Sequence, residues 1–583
     1  MLGKDIAYYI NKSKLLKPLN TNLKIKIGLL SSFTINGLED ILRVECFDQN
    51  ITCQTYVADY NQYSQEILNP SSGLYNFSPD ITFVILDPRT ILSDLFYYTH
   101  SVTKEERQNI IKNKIFELQN LVDSYFEKSN SKLVFFNFQS SHYTTYGISE
   151  SKEDFNLHDM LNELNTWISN IAKVNENLYY FDFDNFVTYF GAKNIFNYRE
   201  YFFGDIKISI KYLPYLVYDM MRFVKAILGL TKKCIVVDLD NTLWGGVIGE
   251  DGFEGIKIGN DPIGRSYLEF QKILLSLNQR GIILAVNSKN NYNDALEVIK
   301  NHPDMILRQE NFATMEINWD DKSTNLQRIA TTLNIGLDSM VFIDDDPVNC
   351  ELVRSTLPQI LTISLPQDPS EYASILLSLN DLDSLKITYD DTKRQKMYFQ
   401  EQQRNEFKSN TNLDDFLTQL NIKLRIKDAN KFTIPRISQL TLKTNQFNLT
   451  TKRYQVTDIQ HMTANSNYVI GCAQVEDKFG DSGITGVYII KKNSNEWILD
   501  TFLLSCRIMG RGIEESIISY ILQLAKANGV SIVKGKYIPT SKNKPAENFF
   551  QNYGFKKIDD YWVFDLSNPI LFPKHVEMVI DDF

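Results

Sequence analysis

The feature that most constrains this chain is the run Cys234-Ile235-Val236-Val237, closed at once by Asp238-Leu239-Asp240-Asn241-Thr242. Four apolar residues ending in two β-branched valines read as a strand buried on both faces, as in a parallel sheet covered by helices. In such sheets, ligands bind beyond the carboxyl ends of the strands. Two carboxylates two residues apart at that end are costly unless a cation neutralises them, so bound Mg²⁺ is the natural inference. One carboxylate can then attack phosphorus while the other handles the proton.

Three more strand ends carry polar residues in the same stretch. Ile282 to Val286 is followed by Asn287-Ser288-Lys289-Asn290. A hydroxyl at a strand end, just before a helix N-terminus, can hold a phosphate oxygen. Lys322 precedes a predicted helix, and Met340 to Ile343 runs into Asp344-Asp345-Asp346-Pro347. Trp244-Gly245-Gly246 offers glycines for a tight turn and a close backbone approach. Taken singly, each has a bland reading. Acidic residues after a strand are commonly helix N-caps, and a lone lysine is usually solvated. Four in order, each at a predicted strand end, make coincidence improbable.

These residues resemble the four motifs of the haloacid-dehalogenase (HAD) superfamily. The continuation Leu243-Trp244-Gly245-Gly246-Val247-Ile248-Gly249-Glu250-Asp251-Gly252 is similar to the narrower FkbH-like family of glyceryltransferase/phosphatases. The resemblance implies Asp238 as nucleophile, Asp240 as acid and base, and Lys322 as the neutralising cation. It implies Thr242, Trp244, Gly245, Gly246, Ser288, Lys289 and Asn290 as substrate-binding residues. Mg²⁺ would sit on Asp238 and Asp240 with Asp344 or Asp345, while Asp346 would cap the next helix.

A chain of 583 residues is too long for one core, so several domains are expected. The fold class expected is multidomain α/β. A lead-in helix covers 1–22 and an SGNH-hydrolase-like α/β domain 23–230. The HAD domain follows over 231–365 as a Rossmann-like parallel sheet. A helical connector covers 366–421, with helical stretches at Ser370 to Leu379 and Thr392 to Phe407, and a GNAT-like α+β domain covers 422–583. The net charge of −10 argues against general nucleic-acid binding. No apolar run is long enough for a transmembrane helix, and the N-terminus lacks a signal-peptide core. A cytoplasmic protein is expected. Its six cysteines show no zinc-type spacing and read as free thiols.

The first domain alternates predicted strands at Lys24 to Leu30, Cys53 to Val57, Ile81 to Leu86, Lys132 to Phe138 and Tyr179 to Asp182 with helical patterns. Ser31 and Ser32 follow its first strand, where a nucleophilic serine can sit, and this arrangement resembles SGNH-hydrolase-like folds. There is no Gly-Asp-Ser motif, however, and no Asp-x-x-His near the end, where Lys207 to Leu228 reads as a closing helix. A non-catalytic domain is the expectation, with His142 a loop residue.

In the last domain, strands are predicted at Ile422 to Ile426, Tyr468 to Val475, Gly486 to Lys491 and Glu496 to Ser505. Arg507-Ile508-Met509-Gly510-Arg511-Gly512 then leads into a helix. This resembles the Arg-x-x-Gly-x-Gly loop of GNAT acyltransferases, whose backbone amides cradle a pyrophosphate. Asn543, Asn548 and Tyr553-Gly554-Phe555 resemble that family's later elements. The expected pantetheine or CoA site is therefore Arg507, Gly510, Arg511, Gly512, Asn543 and Asn548.

The family resemblance implies 1,3-bisphosphoglycerate as substrate and the phosphopantetheine thiol of an acyl carrier protein as acceptor. Many relatives place a cysteine before the Ser288 position, and this chain has Asn287. An acyl-enzyme thiol would then be Cys506, whose pKa a neighbouring Arg507 can depress, or Cys350. Cys506 also has a packing reading, and direct transfer to the carrier is a further route. The alternative function is a Mg²⁺-dependent phosphatase on another metabolite, with an independent acetyl-CoA-dependent unit.

Overall fold

A computed structural model describes every residue except 1–3, 141–144, 388–399, 401–403, 405–406, 408–412, 494, 506–507, 541 and 581–583. His142, Cys506, Arg507 and most of the helical stretch expected at Thr392 to Phe407 lie outside the described residues. The chain forms two units, Met1–Val224 and Lys225–Phe583.

The first unit begins with helix Ile6–Lys14, whose N-cap Asp5 accepts from the Tyr8 amide. Its sheet comprises β1 (Lys24–Ser31), β2 (Thr52–Val57), β3 (Ile81–Ile85), β4 (Lys132–Phe136) and β5 (Leu178–Phe181), in parallel order β2-β1-β3-β4-β5. Strands β3 and β4 are buried throughout, as both-face coverage by helices requires. The long helix Lys104–Lys128 starts at a capping box of Thr103 and Glu106.

The second unit holds two sheets. The first comprises β6 (Cys234–Val237), β7 (Ile283–Ser288), β8 (Thr314–Ile317), β9 (Met340–Asp344) and β10 (Leu361–Ser364), parallel in order β10-β9-β6-β7-β8. Central β6 is fully buried. Tyr372, Leu376 and Leu382 pack into this sheet's core, so part of the segment that reads as a connector contributes to it. Local hydrophilicity hides this, because among the segment's described residues only these three and Leu379 pack against that core.

The other sheet is mixed: β11 (Ile422–Asp428), β12 (Phe447–Asn448), β13 (Tyr468–Asp477), β14 (Gly480–Lys492), β15 (Glu496–Leu504), β16 (Ile532–Gly535), β17 (Lys556–Ile558), β18 (Tyr561–Asp565) and β19 (Val576–Ile580). Its order is β17-β18-β16-β15-β14-β13-β11-β19, with β12 pairing on β15. Helix Ile513–Ala527 connects the parallel pair β15 and β16. An antiparallel meander followed by one helix-crossed parallel strand is the α+β arrangement expected of a GNAT-like unit. Among the described residues, no helix is long and apolar enough to cross a membrane.

Candidate active site

The carboxyl ends of β6, β7 and β9 converge around one buried lysine. Lys322 opens helix Lys322–Thr332, whose N-cap Asp321 accepts from the Thr324 amide. Its Nζ lies 2.7 Å from Asp238 Oδ1 and 3.1 Å from Asp344 Oδ2, and it donates to the Asn287 carbonyl at 2.7 Å. The lysine is 1% exposed. Burial alone would lower its pKa; Asp238 and Asp344 outweigh that and hold it above the usual lysine range.

Asp238, Asp344 and Asp345 each bring one carboxylate oxygen within 4.8 Å of the others. Three carboxylates face one ammonium, so the cluster carries excess negative charge in a poorly solvated place. Its titration reflects that. Burial, then the charges of Asp238 and Asp344, push Asp345 up to about 7. Burial and Asp238 raise Asp344. Asp238 Oδ1 and Asp344 Oδ2 are buried and make no hydrogen bond among the described residues, their ion pairs with Lys322 aside. Hard oxygen donors with spare lone pairs suit a small divalent cation. Asp346 stands apart as the N-cap of helix Pro347–Thr356, accepting from the Val348 amide.

Asp240 is held away from that triad. Its Oδ1 accepts from Trp244 Nε1 at 2.9 Å and the Ile248 amide at 3.1 Å, and its Oδ2 from Asn290 Nδ2 at 2.8 Å. Burial raises its pKa, and those donors only partly offset the rise. Trp244 is fully buried. It and Asn290, both expected to bind substrate, instead hold Asp240.

The turn that carries these groups is tightly built. Asn241 adopts φ +52°, and its Oδ1 accepts from the Gly246 amide. Gly246 has φ +93°, and a Cβ there would lie 2.5 Å from Asp251 Oδ2. Gly245 exchanges backbone hydrogen bonds with Lys257. Thr242 Oγ1 donates to Asp345 Oδ1 at 3.4 Å. Tyr372, from the apparent connector, donates its hydroxyl to the Asn241 carbonyl, a support the local sequence did not signal.

Ser288 is buried at the last position of β7, and Lys289 donates to Asn349 Oδ1 at 3.3 Å. Asn287 is fully buried. Its side-chain amide donates to the Lys322 carbonyl and accepts from Asn325, so it anchors the lysine helix to β7. Asn318 and Asn325 extend this network. Cys350 is buried, and burial, then Asp344, push its thiol up to about 11, which suits packing better than nucleophilic attack.

The residues expected to hold pantetheine are more dispersed. Gly510 and Gly512 adopt φ +72° and +77°, and a Cβ on Gly512 would meet His575 Nε2 at 2.7 Å. Arg511 is buried, 3.5 Å from Asp477. Asn543 is also buried: it donates to the Asn448 and Ile538 carbonyls and accepts from the Thr540 amide, bracing a turn. Asn548 is an exposed N-cap position. Beyond Leu499 and Gly535, β15 stops pairing with β16, and Phe447–Asn448 pairs with Leu503 and Leu504. At those two residues the edge of β15 is thus already taken by the chain itself.

Residues 26–225 match the family model of the FkbH N-terminal domain. The solved N-terminal part of protein BF1531 from Bacteroides fragilis, containing a phosphatase domain and complexed with Mg, is 29% identical over 66% of this chain and 100% of its own, with a TM-score of 0.61. A GNAT-family acetyltransferase from Staphylococcus aureus Mu50 is 14% identical over 24% of this chain and 99% of its own, at a TM-score of 0.21. Rv2747 from Mycobacterium tuberculosis, in complex with CoA and NLQ, is 19% identical over 23% and 72%, at 0.19. No curated protein matches the chain. Five parallel strands carrying an Asp238–Asp344–Asp345–Lys322 centre follow the stretch that matches the FkbH N-terminal domain, and the mixed α+β sheet follows them.

Proposed function

We propose that the chain is a Mg²⁺-dependent phosphatase coupled to acyl transfer, removing the 3-phosphate of 1,3-bisphosphoglycerate and loading the glyceryl unit on the phosphopantetheine of an acyl carrier protein. The observation that carries the phosphatase half is the triad of converging carboxylates around Lys322. Asp238, Asp344 and Asp345 would hold the ion, which supplies charge neutralisation for the transferring phosphoryl group.

The chain's own residues divide the work. Asp238 attacks phosphorus of the 3-phosphate ester; a bond forms from its carboxylate oxygen while the bond from phosphorus to the sugar-acid oxygen breaks. Asp240, with its raised pKa, gives its proton to the departing alkoxide. It then takes a proton from water as that water attacks the aspartyl-phosphate, which releases inorganic phosphate and restores Asp238. Lys322 holds Asp238 in place and balances charge as it develops. Attack on the acyl phosphate at phosphorus would discard its activation. The carbonyl carbon is therefore the electrophile for a thiolate, and the C–O bond to phosphate breaks. That thiolate belongs to the carrier or to Cys506. A cytoplasmic location suits Cys46, Cys53, Cys234, Cys350 and Cys472, which form no disulfide.

A second reading, a phosphatase on another metabolite beside an independent acetyl-CoA-dependent unit, draws on Asn287. It occupies the place of a cysteine common in relatives, and it is locked into the Lys322 helix. Intact mass spectrometry decides between them. A phosphopantetheinylated carrier is incubated with the protein, Mg²⁺ and 1,3-bisphosphoglycerate made in situ. A glyceryl or phosphoglyceryl adduct is expected. Phosphate release with no adduct would leave the second reading.

A further inference from the structure

The parallel strands β15 and β16 pair only over Glu496–Leu499 and Ile532–Gly535, and then part. Past that point β14 still pairs with Leu503 and Leu504 from one side. The other edge of β15, the one β16 has left, needs partners for its N–H and C=O groups. It lies at the carboxyl ends of two parallel strands, beside the loop of Gly510 and Gly512 that opens helix Ile513–Ala527. An open strand edge takes an extended ligand by backbone pairing, and a helix start takes an anionic end. Such a notch suits an extended thiol with amides along its arm and a pyrophosphate at its end, which is the chemistry of a pantetheine cofactor.

Here the chain fills the notch itself. Phe447 and Asn448 pair with Leu504 and Leu503, and the Leu449 amide donates to the Phe502 carbonyl at 3.1 Å. On the far side, the Ile538 amide donates to the Leu449 carbonyl at 2.8 Å, and Asn543 Nδ2 donates to the Asn448 carbonyl at 2.9 Å. Ile538 follows the end of β16, so the segment is bonded both to β15 and to the run-out of β16, as an extra strand between them. Thr450 Oγ1 adds a bond to the Asp500 carbonyl. No residue of Phe447–Thr450 is more than 7% exposed.

The anionic end is filled as well. The Gly510 amide donates to Glu514 Oε1 at 3.2 Å, so a carboxylate from the first turn of the helix takes an amide that could otherwise face a phosphate. Glu514 Oε2 is buried and makes no hydrogen bond among the described residues. Burial raises the pKa of Glu514, and the Gly510 amide and the Arg511 charge work against that rise. Arg511 itself lies 3.5 Å from Asp477. A phosphate brought beside the Glu514 carboxylate meets both its bulk and its charge.

We propose that Phe447–Thr450 and Glu514 are a built-in occupant of this notch, the segment in place of a pantetheine arm and the carboxylate in place of its phosphate, so that the GNAT-like unit excludes free coenzyme A. The closure is independent of the phosphatase centre. The second reading above, an independent acetyl-CoA-dependent unit, then has no place for its cofactor.

The test is hydrogen exchange read by mass spectrometry on the full chain in EDTA, at peptides spanning 445–451 and 508–516. The probe is dephospho-coenzyme A, which carries the arm and the pyrophosphate but no phosphate monoester for Asp238 to attack; pantetheine, without phosphate, is the control. Wild type should show no added protection at either peptide up to about 1 mM probe. Glu514→Ala should bind the probe at least about tenfold more tightly than that limit, with protection at 508–516, and should still ignore pantetheine. Leu449→Gly combined with Glu514→Ala should add protection at 445–451 and take pantetheine too. Thermal melts check both variants; Glu514 is only half-buried, and its variant decides alone if the double variant misfolds. Protection of wild type by less than about 1 mM probe at either peptide would overturn the proposal. So would a folded Glu514→Ala that binds no better than wild type, or one that gains equally for pantetheine.

Discussion

Two buried lysines at the carboxyl ends of two parallel sheets make a natural comparison. In the first unit, Lys207 Nζ lies 2.7 Å from Asp87 Oδ1, and Arg89 lies 3.1 Å from Asp87 Oδ2. Asp87 follows β3, and its amide donates to Ser32 Oγ, just past β1. These strands are neighbours at the point where the order β2-β1-β3-β4-β5 reverses, the customary ligand crevice of such sheets. The place is right for a site, yet here two cations hold one carboxylate, and burial pushes Lys207 down to about 8. Burial alone would raise Asp87, but Lys207 and Arg89 outweigh it and hold it below the usual carboxylate range. In the second unit, one lysine faces three carboxylates and Asp345 is driven up to about 7. Position on the fold is common to both clusters; the charge balance differs. A compensated cluster braces its sheet, and an uncompensated one waits for a ligand.

The largest effect that could break this contrast is on activity. Asp238→Asn should lower hydrolysis of p-nitrophenyl phosphate by about 10³-fold or more with little change in melting temperature. Full activity in that variant would remove the nucleophile and with it the functional half of the comparison.

Lys322→Met should cost about 3–5 kcal/mol in urea unfolding of the second unit, because the buried carboxylates of Asp238 and Asp344 lose the one cation paired with them among the described residues. Lys207→Met should cost about 2–4 kcal/mol in the first unit and leave phosphatase activity intact. The double variant Lys207→Met/Asp87→Asn should regain part of that loss, as a brace would. A drop in phosphatase activity with Lys207→Met would end its reading as a brace.

Smaller still is a backbone effect. Gly246→Ala should destabilise by about 1–3 kcal/mol, since φ +93° and the Asp251 contact both oppose a Cβ.

The smallest expected effect is a pH signature of the uncompensated cluster. A carboxyl raised to about 7 in the folded chain ionises near 4 when unfolded. Its stabilising share is complete below about pH 4 and is lost as pH rises through 7. A bound cation restores it by favouring the ionised form. Mg²⁺ should therefore raise the melting temperature by about 3–6 °C at pH 8 and by clearly less at pH 5.5. An equal shift at both pH values would argue against Asp345 as a ligand.

Much of this architecture was readable in advance. Apolar runs marked β1, β3, β4, β6, β7 and β9, because strands buried on both faces need no partner to declare themselves. Several very short strands were not legible: β12 is two residues long, β17 three, and β8, β10 and β16 four. The site showed a similar split. Asp238, Ser288, Lys322 and Asp344 could be picked out by their places after strands or before a helix. Asn290, Asn325 and Tyr372 could not be given their roles, since each bonds a group far along the chain.

What the sequence determined by itself is therefore the inventory: which residues end buried strands, which cap helices, and that acidic groups accumulate at one sheet edge. Local periodicity and strand-end chemistry suffice for that. Only the tertiary structure decided that Lys322 sits between Asp238 and Asp344, that Asp240 is bonded away from the triad, and that Lys207 and Arg89 both hold Asp87. Each of these is a matter of charges brought together from distant positions, and Coulomb energy depends on separation in space, which sequence spacing does not contain.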